Sequence, residues 1–183
     1  MELIYQDKQR KTIKEKEEIN FPSFSSFHLI VVTARTKSEK QISPEATDDE
    51  ELTLAIDGKT FPKLDSKKAI LDSNTSFNGG KLHNLSQTVY ILTFLKRRNR
   101  TINLKTDEPH NTATLESLAV YTLNLEKSFT LKVDNQAEDG DGRPWIAFAL
   151  DNLPLFSVTP TISYSRRKRD SDDVKVIIDG KVQ

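Results

Sequence analysis

The chain has 183 residues, with Lys+Arg 27 matched by Asp+Glu 27 and no cysteine. The charge balance removes any bulk electrostatic case for nucleic acid, and the missing cysteines exclude a disulfide scaffold and thiolate chemistry. No apolar run reaches the roughly 18 residues a spanning helix needs, so no membrane span is expected.

Gln6–Glu18 is almost wholly charged or polar, with Lys and Glu alternating and no apolar stripe. Residues 1–19 therefore read as a polar leader, a frayed helix or disordered chain, without a signal-peptide core. Past Phe21-Pro22-Ser23-Phe24 the dominant signal is strand. Phe27–Thr36 is β-branched and apolar, and Leu52–Asp57 alternates, with Leu52, Leu54 and Ile56 on one face. Asp57-Gly58 then supplies a turn that tolerates positive φ. Asp65–Leu85 follows as a long loop.

Thr88–Leu95 is apolar on both faces, as a central strand is. Arg97–Arg100 makes a polar tip and Thr101–Lys105 returns, so the pair reads as a β-hairpin. Leu115–Leu123, Ser128–Val133, Trp145–Leu150, Leu155–Tyr164 and Val174–Ile178 complete the series. No window sustains the helical period of about 3.6 residues. The expected fold is all-β: an antiparallel, jelly-roll-like β-sandwich of about nine strands with little helix.

Asp48–Lys59 (DDEELTLAIDGK) returns as Asp170–Lys181 (DSDDVKVIIDGK), at an offset of 179 − 57 = 122 residues without a gap. Upstream of each acidic segment lies an apolar strand and then a basic connection. The expected organisation is a first β unit at 20–125 and the opening strands of a related unit at 126–183. These strands either pack with the first unit as one sandwich or belong to a further module, so the chain reads as a fragment of a modular protein.

Three constellations offer chemistry. Arg166–Asp173 (RRKRDSDD) is either a polyanion site or a hairpin loop whose opposite charges pair. Glu138, Asp139 and Asp141, on a Gly-rich turn, are either ligands for Ca²⁺ or a plain hairpin tip. No other cofactor is required. Trp145 is either a sugar-stacking platform or a core residue. His28, His83 and His110 lie in unrelated segments, and no nucleophile elbow is present. Glu116 and Asp107–Glu108 could pair as glycosidase carboxylates, but no spacing defines their separation. The chain is therefore read as a non-enzyme.

Arg98–Leu104 followed by Thr114–Val120 resembles the late strands of jelly-roll, galactose-binding-like carbohydrate-binding modules, over about 35 residues. Asn99 and Arg100 stand where that family has Gly and His, and Glu116 where it has Asp. The resemblance implies a β-sandwich, a structural Ca²⁺ and sugar binding through loop aromatics and Asn. An aromatic platform with Asn and Asp hydrogen bonds would draw on Trp145, Asn78, Asn84 and Asp141. The partners it implies are a glycan or cell-envelope polymer and neighbouring modules of the same polypeptide, in an extracytoplasmic setting. A tandem-repeat spacer and a glycoside hydrolase fragment are the alternatives.

Overall fold

The computed structural model describes residues 1–61, 76–79, 84–108, 112–123, 146–152, 177–178 and 181–182. In chain order its elements begin with β1 (Glu2–Asp7), β2 (Lys11–Ile13), β3 (Lys16–Ser23), β4 (Ser26–Arg35), a single helical turn α1 (Glu39–Ile42) and β5 (Glu51–Ile56). There follow β6 (Lys59–Phe61), β7 (Phe77–Asn78), β8 (Gln87–Leu95), β9 (Arg98–Thr106), β10 (Ala113–Leu123) and β11 (Ile146–Asp151). Two short strands, β12 (Ile177–Ile178) and β13 (Lys181–Val182), pair with each other. The expected strands at Ser128–Val133 and Leu155–Tyr164 lie outside the described residues.

Two sheets face each other. One has the order β1-β10-β4-β8-β11, with β2 also on β10; the other has the order β3-β9-β5-β6, with β7 also on β5. β1 and β2 lie end to end along β10, as β6 and β7 do along β5. With each such pair counted once, the chain passes from sheet to sheet at nearly every connection up to β10. This is the interleaved connectivity of a jelly roll, so the all-β, jelly-roll-like sandwich is the observed fold.

The core follows from alternation. Ile30, Val32 and Ala34 of β4 meet Leu52 and Leu54 of β5 and Ile102 and Leu104 of β9 in one buried cluster. β10 breaks strict alternation: Leu115 and Leu118 are both fully buried, although three apart. A bulge explains this. The β4–β10 register shifts between Leu115 and Ser117, leaving Glu116 without a partner on β4.

Three expectations need correction. The polar leader is neither helix nor disordered: it supplies β1, β2 and the first half of β3, so the first sandwich begins near Glu2, not at residue 20. Its charged residues form the outward half of a strand pattern, while Ile13, Ile19 and Phe21 are buried in the core. Next, β8 and β9 are not a hairpin. β8 pairs with β4 and β11, β9 pairs with β3 and β5, and Lys96-Arg97 carries the chain across between the sheets. Lastly, pairing is not wholly antiparallel. β11 runs parallel to β8, from Ile146↔Thr88 to Asp151↔Thr93, and covers the edge β8 would otherwise expose.

Candidate functional site

One end of the sandwich gathers the β3–β4 connection, the β5–β6 turn, the β8–β9 connection and the end of β11. The β5–β6 turn is built by Asp57 (φ 50°) and Gly58 (φ 86°), the two left-handed residues of a tight hairpin. Asp57 is more than a turn residue. Its Oδ2 accepts from Arg100 Nη1 (2.6 Å) and Arg98 Nη2 (2.7 Å), and its Oδ1 accepts from the Thr101 N–H (3.2 Å). Burial pushes the Asp57 carboxyl up, but the hydrogen bonds from Arg100, Arg98 and Thr101 outweigh it and hold the group below its ordinary value.

Arg100 is the hub of this end. Its side chain is 9% exposed. Besides Asp57 it donates from Nε to Ser23 Oγ (3.1 Å) and from Nη2 to the Lys96 carbonyl (2.8 Å). Three acceptors on three connections are thus tied by one planar cation. Beside it His28 is fully buried. Its Nδ1 lies 3.0 Å from the Ser26 carbonyl, and its Nε2 accepts from the Phe24 N–H (3.4 Å). A neutral ring protonated on Nδ1 satisfies both contacts. Burial pulls the His28 pKa down; the Ser26 bond opposes this and the Arg100 charge adds to it.

A cleft of about 530 Å³ opens here between the β5–β6 turn and β11. Pockets of roughly 300–1,000 Å³ suit small molecules and polymer segments. Ile56, Phe61 and Leu95 form its buried apolar wall. Lys59, Lys96, Asp151 and Asn152 are its accessible polar groups. Lys59 Nζ pairs with Asp151 across the cleft and sits 5.3 Å from the Phe61 ring centroid. Asp151 also accepts from Thr93 Oγ1 (3.3 Å), and Asn152 Nδ2 donates to the Phe94 carbonyl (3.2 Å). The Lys59 side chain is 60% exposed. Exposed pairs of this kind contribute about 0–1 kcal/mol, so a ligand can replace Asp151 at little cost. The shielded Arg100–Asp57 pair is not exchangeable in this way.

The opposite end is held by a buried carboxylate. Glu50 Oε2 accepts from the Lys37 N–H (2.8 Å) and Oε1 from the Thr112 N–H (2.9 Å). Burial raises its pKa, partly offset by those two backbone donors. Nearby, the bulge at Glu116 aims a carboxylate at Arg35, Arg10 and Ser86. Glu116 is thus engaged by three neighbouring donors.

The sequence-predicted ligand residues divide as follows. Asn78 pairs with Glu51 on β7, and Asn84 (φ 64°) accepts from Arg35 Nη1 (3.3 Å) through its carbonyl. Both border the end opposite the cleft, and neither lines it. Trp145, Glu138, Asp139 and Asp141 lie outside the described residues. Among the described residues no cluster of His, Asp and Glu has the make-up of a metal site, and no helix is long and apolar enough to cross a membrane. Sequence reasoning missed Lys59, Asp151 and Asn152. Lys59 was legible only as the last letter of the repeated Ile-Asp-Gly-Lys, and Asp151 and Asn152 as the end of a strand.

No protein-family model matches the chain, and no curated protein matches it. Among solved structures, dimeric latent PorU from Porphyromonas gingivalis superposes on 59% of this chain at 17% identity with a TM-score of 0.37. The matched part spans 10% of that chain. A likeness of that size says nothing about activity.

Proposed function

We propose that this chain is a non-catalytic binding module that takes a carbohydrate or cell-envelope polymer in the cleft between the β5–β6 turn and β11. The observation that carries this reading is the make-up of the cleft. An apolar wall of Ile56, Phe61 and Leu95 stands beside the accessible donors and acceptors of Lys59, Asp151 and Asn152. Sugars offer the matching combination of apolar ring faces and hydroxyls. The purified chain applied to a polysaccharide array is expected to retain at least one polymer. The pair Lys59→Ala with Asn152→Gly should cut that retention about ten-fold, as the loss of two polar contacts does. An array that stays blank, or retention untouched by the double variant, sinks the reading.

A second reading, a tandem-repeat spacer, is favoured by one observation. β5 pairs with β6 as Ala55↔Thr60 and Ile56↔Lys59, and β12 pairs with β13 as Ile177↔Val182 and Ile178↔Lys181. Those registers coincide at the repeat offset of 179 − 57 = 122 residues. The strand pairs on either side of the two Asp-Gly positions thus share one register. On this reading neighbouring modules of the same polypeptide are the partners.

A further inference from the structure

We infer that the cleft selects anionic polymers: sugars carrying carboxylate, sulfate or phosphate groups. The inference rests on the binding-module reading and adds the charge of the ligand to it. The cleft and the β8–β9 connection that rims it carry Lys59, Lys96, Arg97, Arg98 and Arg100, against the carboxylates of Asp57 and Asp151. Asp57 is fully engaged by Arg98, Arg100 and the Thr101 N–H. Asp151 is engaged by Lys59 and Thr93. Lys96 and Arg97 are exposed, and among the described residues their side chains make no hydrogen bond or ion pair. The surplus of positive charge therefore faces solvent at the mouth of the cleft.

This surplus is local. The chain as a whole is neutral, with Lys+Arg 27 and Asp+Glu 27. At the opposite end of the sandwich Glu39, Asp48, Asp49, Glu51, Asp107 and Glu108 lie around the buried Glu50, with Lys37 and Lys40 among them. The unpaired cations thus favour an anionic polymer at the cleft end. The Lys59–Asp151 pair sets the terms of entry. An incoming anion takes over Lys59, while Asp151 keeps its bond from Thr93 Oγ1. Lys96 and Arg97 then hold the next anionic groups along the polymer. The open cleft sets exposed cations beside apolar side chains, the combination that an anionic sugar chain offers in complement.

The test is retention of the full chain on immobilised polygalacturonate, chondroitin sulfate and a phosphodiester-linked teichoic acid, with dextran as the neutral polymer. At least one anionic polymer should be retained ten-fold or more over dextran, and raising NaCl from about 50 to 300 mM should abolish the difference. The three anionic arms tell carboxylate from sulfate from phosphate. Lys96→Gln with Arg97→Gln, both on exposed positions, should lower anionic retention about ten-fold and leave dextran unaffected. Asp48→Asn with Asp49→Asn should not weaken it. Equal retention on dextran and the anionic polymers overturns the anionic assignment but leaves the binding module standing, whereas retention of nothing overturns both. Salt-sensitive self-association of the chain alone, lost in both double variants, would mean that the basic end takes the acidic end of a second copy, and it overturns the proposal.

Discussion

Arg100 shows how one side chain can hold an end of a sandwich together. It links Asp57 of the β5–β6 turn, Ser23 at the end of β3 and the Lys96 carbonyl of the sheet-to-sheet crossing. Removing it leaves a largely shielded carboxylate and two further acceptors without their donor. Arg100→Ala should therefore lower stability by about 3 kcal/mol in urea denaturation, and Arg100→Lys should recover little, because an ammonium cannot span the three acceptors. An unchanged denaturation midpoint would show that the network is dispensable. Little of this was legible beforehand. Arg97-Arg98-Asn99-Arg100 reads as a polar tip because a linear sequence does not say which of three arginines points inward. That choice is made by position along β9: Arg98 and Arg100 share the core-facing side, opposite Ser23 and Phe21, but Arg98 opens the strand and stays largely exposed while Arg100 lies one step deeper. The same limit hid Lys59 and Asp151, 92 residues apart and joined only once β11 lies beside β8.

At the scale of elements, the strands that alternate or carry unbroken apolar runs were legible: Phe27–Thr36 became β4, Leu52–Asp57 became β5 and Thr88–Leu95 became β8, each within a residue or two. Two kinds of element were not. β1 to β3 hide because their outward faces are so heavily charged that the inward Ile13, Ile19 and Phe21 look isolated. The β8–β9 connection hides because a tight polar turn looks the same whether it joins neighbours in one sheet or crosses between two. The integration of β3 has a measurable consequence. Phe21 is 1% exposed, so Phe21→Ala should cost about 3–5 kcal/mol, a typical penalty for emptying an aromatic site in a core. Thermal unfolding checks it: a melting temperature unmoved by this substitution would show that β3 adds nothing to the core.

At the scale of the whole molecule, the two ends carry buried titratable groups whose effects on stability run in opposite directions. His28, depressed by burial, is kept neutral in the fold. As pH falls below the ordinary histidine value of about 6.5 the unfolded chain takes up a proton that the fold refuses, so stability falls with acidification. Glu50, raised by burial, keeps its proton in the fold after the unfolded chain has released it, so its contribution falls as pH rises from the ordinary carboxylate range through its raised value. Above the ordinary carboxylate range and below the ordinary histidine value of about 6.5 the two contributions have opposite signs. Melting temperatures measured across that window should fall with rising pH in His28→Gln and rise with pH in Glu50→Gln. Parallel profiles in the two variants would refute the assignment. The strand order carries a consequence of another kind, for the chain as it is being made. β9 and β10 are among the last strands of the jelly roll to be synthesised, yet they sit inside the two sheets, β9 between β3 and β5 and β10 between β1 and β4. Among the described residues, β3 has no sheet partner until β9 is complete at Thr106, and β1 has none until β10 is complete at Leu123. The nascent chain must therefore carry its first strands unpaired and exposed to chaperones, and then close the two sheets late and one after the other, the β3 sheet with β9 and the β1 sheet with β10.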